Sequence, residues 1–166
     1  MNINDWQAIE KDVAKNKTAL IERMVNFALN DVLLFWSTDE KVQKEQEEKW
    51  TPIIVWANET LNVEFKKTST LEVSQDNVNT ASQLKEYLSS LSNKELSAFY
   101  VAALNMRSVL LALALVKEKI SAEKAFELSE LEEHYQARKW GAEPVAEARR
   151  NSIKNILVCT EEYLRK

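Results

Sequence analysis

One glycine and two prolines in 166 residues leave this chain few ways to turn. A β-sandwich or a doubly wound sheet spends turn residues at nearly every connection. Helices joined by short polar links need few, so the shortage points to an all-α fold. The length suits a single domain, 1–166, large enough to bury a core without metal or disulfide staples. Cys159 is the only cysteine, so no internal disulfide is available and nothing asks for an oxidising compartment.

The periodicity fills in the helices. Asn4 or Asp5 is placed to cap a first helix with Trp6, Ile9 and Val13 on one side. A second helix is expected from about Lys17 to Trp36, where Leu20, Met24, Phe27, Asp31 and Leu34 keep a spacing of three and four. Ser37 with Glu40 reads as a capping box for a third, mostly polar helix ending at Trp50. Thr51-Pro52 then reads as a fresh N-cap followed by proline at the first helical position. After Asn62 the period changes: Val63 and Phe65, then Leu71 and Val73, alternate with polar residues. At most a short two-strand segment is expected there, near 63–73.

A helix from about Asn77 to Leu91 follows. Ser92 with Glu95 is another capping box, opening an expected long helix over about 93–119. Its second half, SVLLALALV, is apolar all round, the mark of a buried central helix in a compact multi-helix bundle. Its apolar run, Val109 to Val116, is far short of a membrane span. Ser121 is expected to cap a helix running into Trp140. Gly141 is its stop, and Pro144 opens a last helix to about Leu164.

Catalytic chemistry finds little footing. A di-iron bundle needs two Glu-x-x-His motifs and the chain has one histidine, His134; zinc sites built on Cys and His fail for the same reason. No Gly-rich phosphate loop is present. A Ser-His-Asp triad would have to use His134, which reads as an exposed or half-buried mid-helix residue. Glu161 and Glu162 near Cys159 raise a thiol pKa rather than activate it. The reading is a non-enzyme with no cofactor and no metal. A net charge of -4 argues against a nucleic-acid partner. The start, MNINDWQAIEKD, resembles neither a signal peptide nor a transit peptide, so a soluble intracellular protein without membrane insertion is expected.

What remains is LSELEEHYQARKWG, residues 128–141, which holds the sole histidine, the sole glycine and one of five tryptophans. Leu128, Leu131 and Tyr135 share a core side. Glu132 and Gln136 share another, with Trp140 one turn further on. A carboxylate, an amide and an indole in one strip suit recognition of a protein partner. Spacing alone favours a solvated face whose Trp140 folds back over the Gly141 stop.

The run from Ile120 through Leu131-Glu132-Glu133-His134-Tyr135-Gln136 to Trp140-Gly141 resembles a stretch A-W-x-L-S-x-x-E-E-x-[FW]-Q-x-x-x-W-G. That stretch belongs to the assembly chaperones for the α subunit of the F(1) sector of ATP synthase, the ATP-twelve family. Asp31-Val32-Leu33-Leu34-Phe35-Trp36 is similar to the family's T-D-L-L-C-Y. Trp50-Thr51-Pro52-Ile53-Ile54-Val55-Trp56-Ala57 is similar to W-D-P-L-L-x-W-A, and Ser108 to Val116 to S-L-V-L-A-L-A-L-V. The resemblance runs over roughly residues 4–164. Departures are Arg138 and Ala142, where acids usually stand, and Thr51 in place of the Asp of W-D-P.

The resemblance implies the C-terminal helical domain of that family, with the N-terminal β-rich domain absent. It implies a chaperone that binds the free ATP synthase α subunit and protects it from aggregation before the β subunit joins. Glu132, Glu133, Gln136 and Trp140 are the implied partner-binding residues. The bacterial cytoplasm is the implied location, or the mitochondrial matrix for a trimmed eukaryotic chain. A non-catalytic helical adaptor for an unrelated protein partner is the alternative.

Overall fold

The computed structural model describes residues 1–34, 36–65, 77–141 and 143–166; the side chains of Asn77, Glu132 and Gln136 lie outside that description. The described residues form nine α-helices and no strand: α1 (Ile3–Lys15), α2 (Lys17–Ala28), α3 (Glu40–Leu61), α4 (Asn77–Ser90), α5 (Asn93–Met106), α6 (Val109–Val116), α7 (Ala122–Ser129), α8 (Leu131–Trp140) and α9 (Pro144–Arg165). Every side chain of α6 is buried, and α2, α3, α5, α7 and α9 all pack on it. This short helix is the centre of the bundle, as its unbroken apolar composition requires.

The expected helix over 93–119 is two helices. Arg107 takes a left-handed conformation (φ 57°), and Ser108 caps α6 through its hydroxyl, which accepts from the Leu111 N–H. The reason for the break lies 77 residues away. Asp31 is fully buried; its carboxylate accepts from the Ser108 hydroxyl at 2.8 Å, the Leu110 N–H at 2.9 Å and the Leu33 N–H at 3.0 Å. Two of these donors belong to the cap and first turn of α6, so the carboxylate also faces the positive end of its dipole. Asp31 is therefore not a member of a helical stripe. The expected helix 17–36 ends at Ala28, and a 3-10 turn at Val32–Leu34 carries the chain past the buried acid.

Pro52 does not start a helix; α3 runs straight through it. Proline inside a helix costs about 3 kcal/mol through its missing donor and its ring. Here Thr51, Pro52 and Glu48 all face solvent, so water can serve the freed carbonyl. Trp50, Ile53, Ile54, Ala57 and Leu61 are buried on both sides of the proline. Each large side chain among them contributes roughly 1.5–3 kcal/mol by burial, which outweighs the local defect.

Smaller corrections concern caps. α1 is capped by Asn2 in a box with Asp5, not by Asn4 or Asp5 alone. α3 is capped by Asp39, while the Ser37 hydroxyl accepts from the Asp39 N–H one step earlier. The expected boxes at Ser92–Glu95 and the cap at Ser121 form as read. Val63 and Phe65 are buried in non-helical chain pinned by Asn58, whose side chain pairs with both backbone groups of Phe65. The rest of the expected strand pair, including Ser69, Leu71 and Val73, lies outside the described residues.

The glycine shortage is met by turns that put other residues at positive φ: Asn62 (55°), Arg107 (57°) and Glu118 (58°). A left-handed residue with a side chain costs roughly 1–2 kcal/mol, least for Asn.

Candidate functional site

The expected helix from Ser121 to Trp140 breaks at Glu130 (φ -105°, ψ 15°), which ends α7 and begins α8. The break lets Leu128 and Leu131 both enter the core. On the α7 side the chain is fixed firmly: the buried Trp50 indole N–H donates to the Leu128 carbonyl at 2.8 Å. On the α8 side the hold is different. Among its described side chains only Leu131 is buried, Glu133, Tyr135 and Ala137 are half-buried, and His134, Arg138, Lys139 and Trp140 are exposed.

Glu132, Glu133, Gln136 and Trp140 all lie on α8. For Glu132 and Gln136 the structure describes the backbone and not the side chains, so their strip is known by helical register. Glu133 and Trp140 are brought together. Both line an open groove of about 550 Å³ between the end of α8 and the start of α9, with Ala137, Gly141, Glu143, Ala146 and Arg149. Trp140 is 75 % exposed, so it does not fold back over the helix stop. Lys139 Nζ lies 5.3 Å from its ring centroid, and Val145, 76 % exposed, follows at the start of α9. Gly141 accomplishes the turn at φ 89°, a region a side chain disfavours, while its N–H still closes on Ala137.

Sequence reasoning missed the groups beneath this surface. Arg149 of α9 bonds both Glu130, at 3.4 Å, and Glu133. Arg107, at the α5–α6 break, reaches Glu133 at 3.6 Å. Burial pushes the Glu130 carboxyl up to about 7, and the hydrogen bond and charge of Glu133 push the same way against Arg149 and Arg150. Burial also pushes Glu133 upward. There the hydrogen bond from Glu130 and the charges of Arg149 and Arg107 win, holding it below the usual carboxylate range. Opposite shifts in two bonded carboxyls describe one proton held mainly by Glu130. Spacing did contain a signal: Glu130 and Glu133 are three apart and so neighbours on a helix. Their arginine partners come from distant segments.

Across the other side of α8, Arg138 pairs with Glu45 of α3 at 3.3 Å. A second slot of about 430 Å³ lies there, floored by Phe126 and Leu131 and edged by Glu130 and His134.

A family model described as "ATP12 chaperone protein" matches residues 4–58, from α1 into α3. The chain is 26% identical over 151 residues to "Protein atp12, mitochondrial" of Schizosaccharomyces pombe; the match takes in 86% of this chain and 52% of that protein. It thus spans about half the length of this relative. The fold is similar to the crystal structure of Atp12 from Paracoccus denitrificans, with a TM-score of 0.88 and 24% identity, over 95% of this chain and 68% of that one. It is also similar to the Atu1473 protein of Agrobacterium tumefaciens, with a TM-score of 0.74 and 24% identity, over 92% and 57% of the two chains.

Proposed function

We propose that the chain is a member of the ATP12 chaperone family and that it acts in ATP synthase assembly by binding the free F(1) α subunit and shielding it until the β subunit joins; the family-model match over residues 4–58 and the likeness to the atp12 relative support this reading. The observation that carries this reading is Trp140, three-quarters exposed on the lip of the α8–α9 groove. A large exposed indole is an expensive residue to leave in water and a frequent anchor in protein interfaces. Glu132, Glu133 and Gln136 precede it on the same helix, where carboxylate and amide groups can accept from a partner's backbone or basic groups. The work requires no bond chemistry: covering an apolar subunit surface suppresses aggregation by itself.

The test is refolding of the ATP synthase α subunit with and without this chain, followed by co-elution. The wild-type chain is expected to keep the subunit soluble and travel with it, and the Glu132→Lys, Trp140→Ala double variant to do neither while keeping its helicity and melting temperature. A wild-type chain that leaves the subunit to aggregate sinks the reading. Recovery of an unrelated protein as the specific partner in cell extract favours the adaptor alternative.

A further inference from the structure

Helix α8 is joined to a firmly held α7 by a single non-helical residue, Glu130, and is itself attached mostly by charge. Leu131 is its one buried side chain among those described. Arg138–Glu45 ties it to α3, and Arg149 with Arg107 ties its first turn to α9 and to the α5–α6 break. We propose that this first turn is a latch, with Arg149 as the positioning residue, and that loss of the Glu130 proton loosens α8 and so displaces the Trp140 lip of the groove.

The charges around Glu130 set the sign. From the first turn of α8 it meets Glu133, with His134 beside it on the slot edge. From α9 it meets Arg149 and Arg150, and Arg107 acts on it through Glu133. Glu123 and Glu127 of α7, the α3 pair Glu45 and Lys49, Arg138 of α8, and Glu147 and Lys154 of α9 line the slot it borders. With Glu130 neutral, its hydroxyl donates to the Glu133 carboxylate, and both arginines serve one negative charge. When Glu130 ionises, two carboxylates in a poorly solvated turn repel, and Arg149 must serve both. Swinging α8 outward relieves this by admitting water, at the cost of little apolar burial.

Hydrogen exchange of the full chain tests this, with protection factors of amides 131–140 compared with those of α6. For a carboxyl titrating at about 7 when latched and at its ordinary 4.5 when released, the opening constant rises about tenfold between about pH 6 and about pH 8. Protection in α8 is expected to fall by that factor after correction for intrinsic exchange, and to stay below that of α6, which exchanges only when the core opens. Glu130→Gln, permanently neutral and of the same shape, is expected to remove the dependence. Added salt is expected to lower α8 protection in the wild type, since partly exposed ion pairs are screened. Protection of 131–140 that stays flat with pH, or a Glu130→Gln profile as steep as the wild type, overturns the latch. If the variant loses α6 protection as well, the wild-type pH and salt series decide the matter alone. The consequence for recognition rests on the reading of α8 as the client-facing helix. Exchange is measured without a client, so a flat profile leaves the chaperone reading standing, and failed co-elution leaves the latch standing.

Discussion

Replacing Asp31 by Asn probes the buried joint that sets the α5–α6 break. Burial raises the Asp31 carboxyl from an ordinary 3.8 to about 6, against the pull of its hydrogen bonds from Leu110, Leu33 and Ser108. A carboxyl raised in the folded state binds its proton more tightly there than in the unfolded chain. Its stabilising contribution is therefore complete below about pH 4 and is lost as pH rises through about 6. Between about pH 7.5 and about pH 4.5 that linkage amounts to roughly 2 kcal/mol. Asn cannot titrate. Its amide oxygen can still accept from Leu33 and Ser108, but its NH₂ faces the Leu110 N–H, a clash of donors that costs about 1–3 kcal/mol at every pH. The offset between the two proteins thus mixes several effects, and the slope of their difference isolates the proton. Urea denaturation followed by far-ultraviolet circular dichroism at several pH values measures it. The wild type should gain on Asp31→Asn by roughly 2 kcal/mol on acidification over that range. Parallel stability profiles would refute the assignment of a buried, raised carboxyl.

Two further substitutions test the parts that set the position of α8. Trp50→Phe removes the indole donor from the buried Leu128 carbonyl, and a loss of about 1–3 kcal/mol in chemical denaturation is expected; unchanged stability would mean that the end of α7 is not held there. Gly141→Ala meets nothing within 4 Å of the added Cβ, so its cost is conformational alone, from φ 89°. A loss of about 1–2 kcal/mol in thermal melting is expected, and no loss would show that the turn relaxes freely.

The legible parts of the fold were those decided by nearby residues. The apolar run 109–116 marked the central helix because no other site tolerates eight consecutive buried side chains. Ser92, Ser121, Gly141 and Pro144 punctuate helices through bonds within four residues, so they too could be read directly. The illegible parts were those decided across the sequence. Nothing near Arg107 marks a left-handed residue; the break follows from Asp31, which reads locally as one more member of a stripe. Pro52 looks like a helix start until the buried residues on both sides of it are known to share one core. The site divides in the same way. Trp140 and its groove partner Glu133 were visible in the motif, whereas the proton-sharing pair of Glu130 and Glu133 acquires its character from Arg149 and Arg107, brought from elsewhere.

Helices α6 and α8 are held in different ways, and the difference bears on how an exposed indole is carried by a small bundle. Helix α6 is held mainly by burial, with the buried Asp31 carboxyl fixing its cap and first turn, and it sets the centre of the fold. Helix α8 buries one described side chain and is held by pairs with α3, α9 and Arg107, so its position can change without opening the core. Trp140 stands at the far end of that helix, with Arg138, Lys139 and Glu143 close by in sequence. The indole, with exposed Val145 following it, is a small apolar patch of a size that can anchor a partner supplying the rest of the apolar surface. A recognition helix built from core-like residues would bind more area and would aggregate with its own copies. The charged α8 gives up intrinsic stability, and in exchange it carries an exposed indole without a broad apolar face around it.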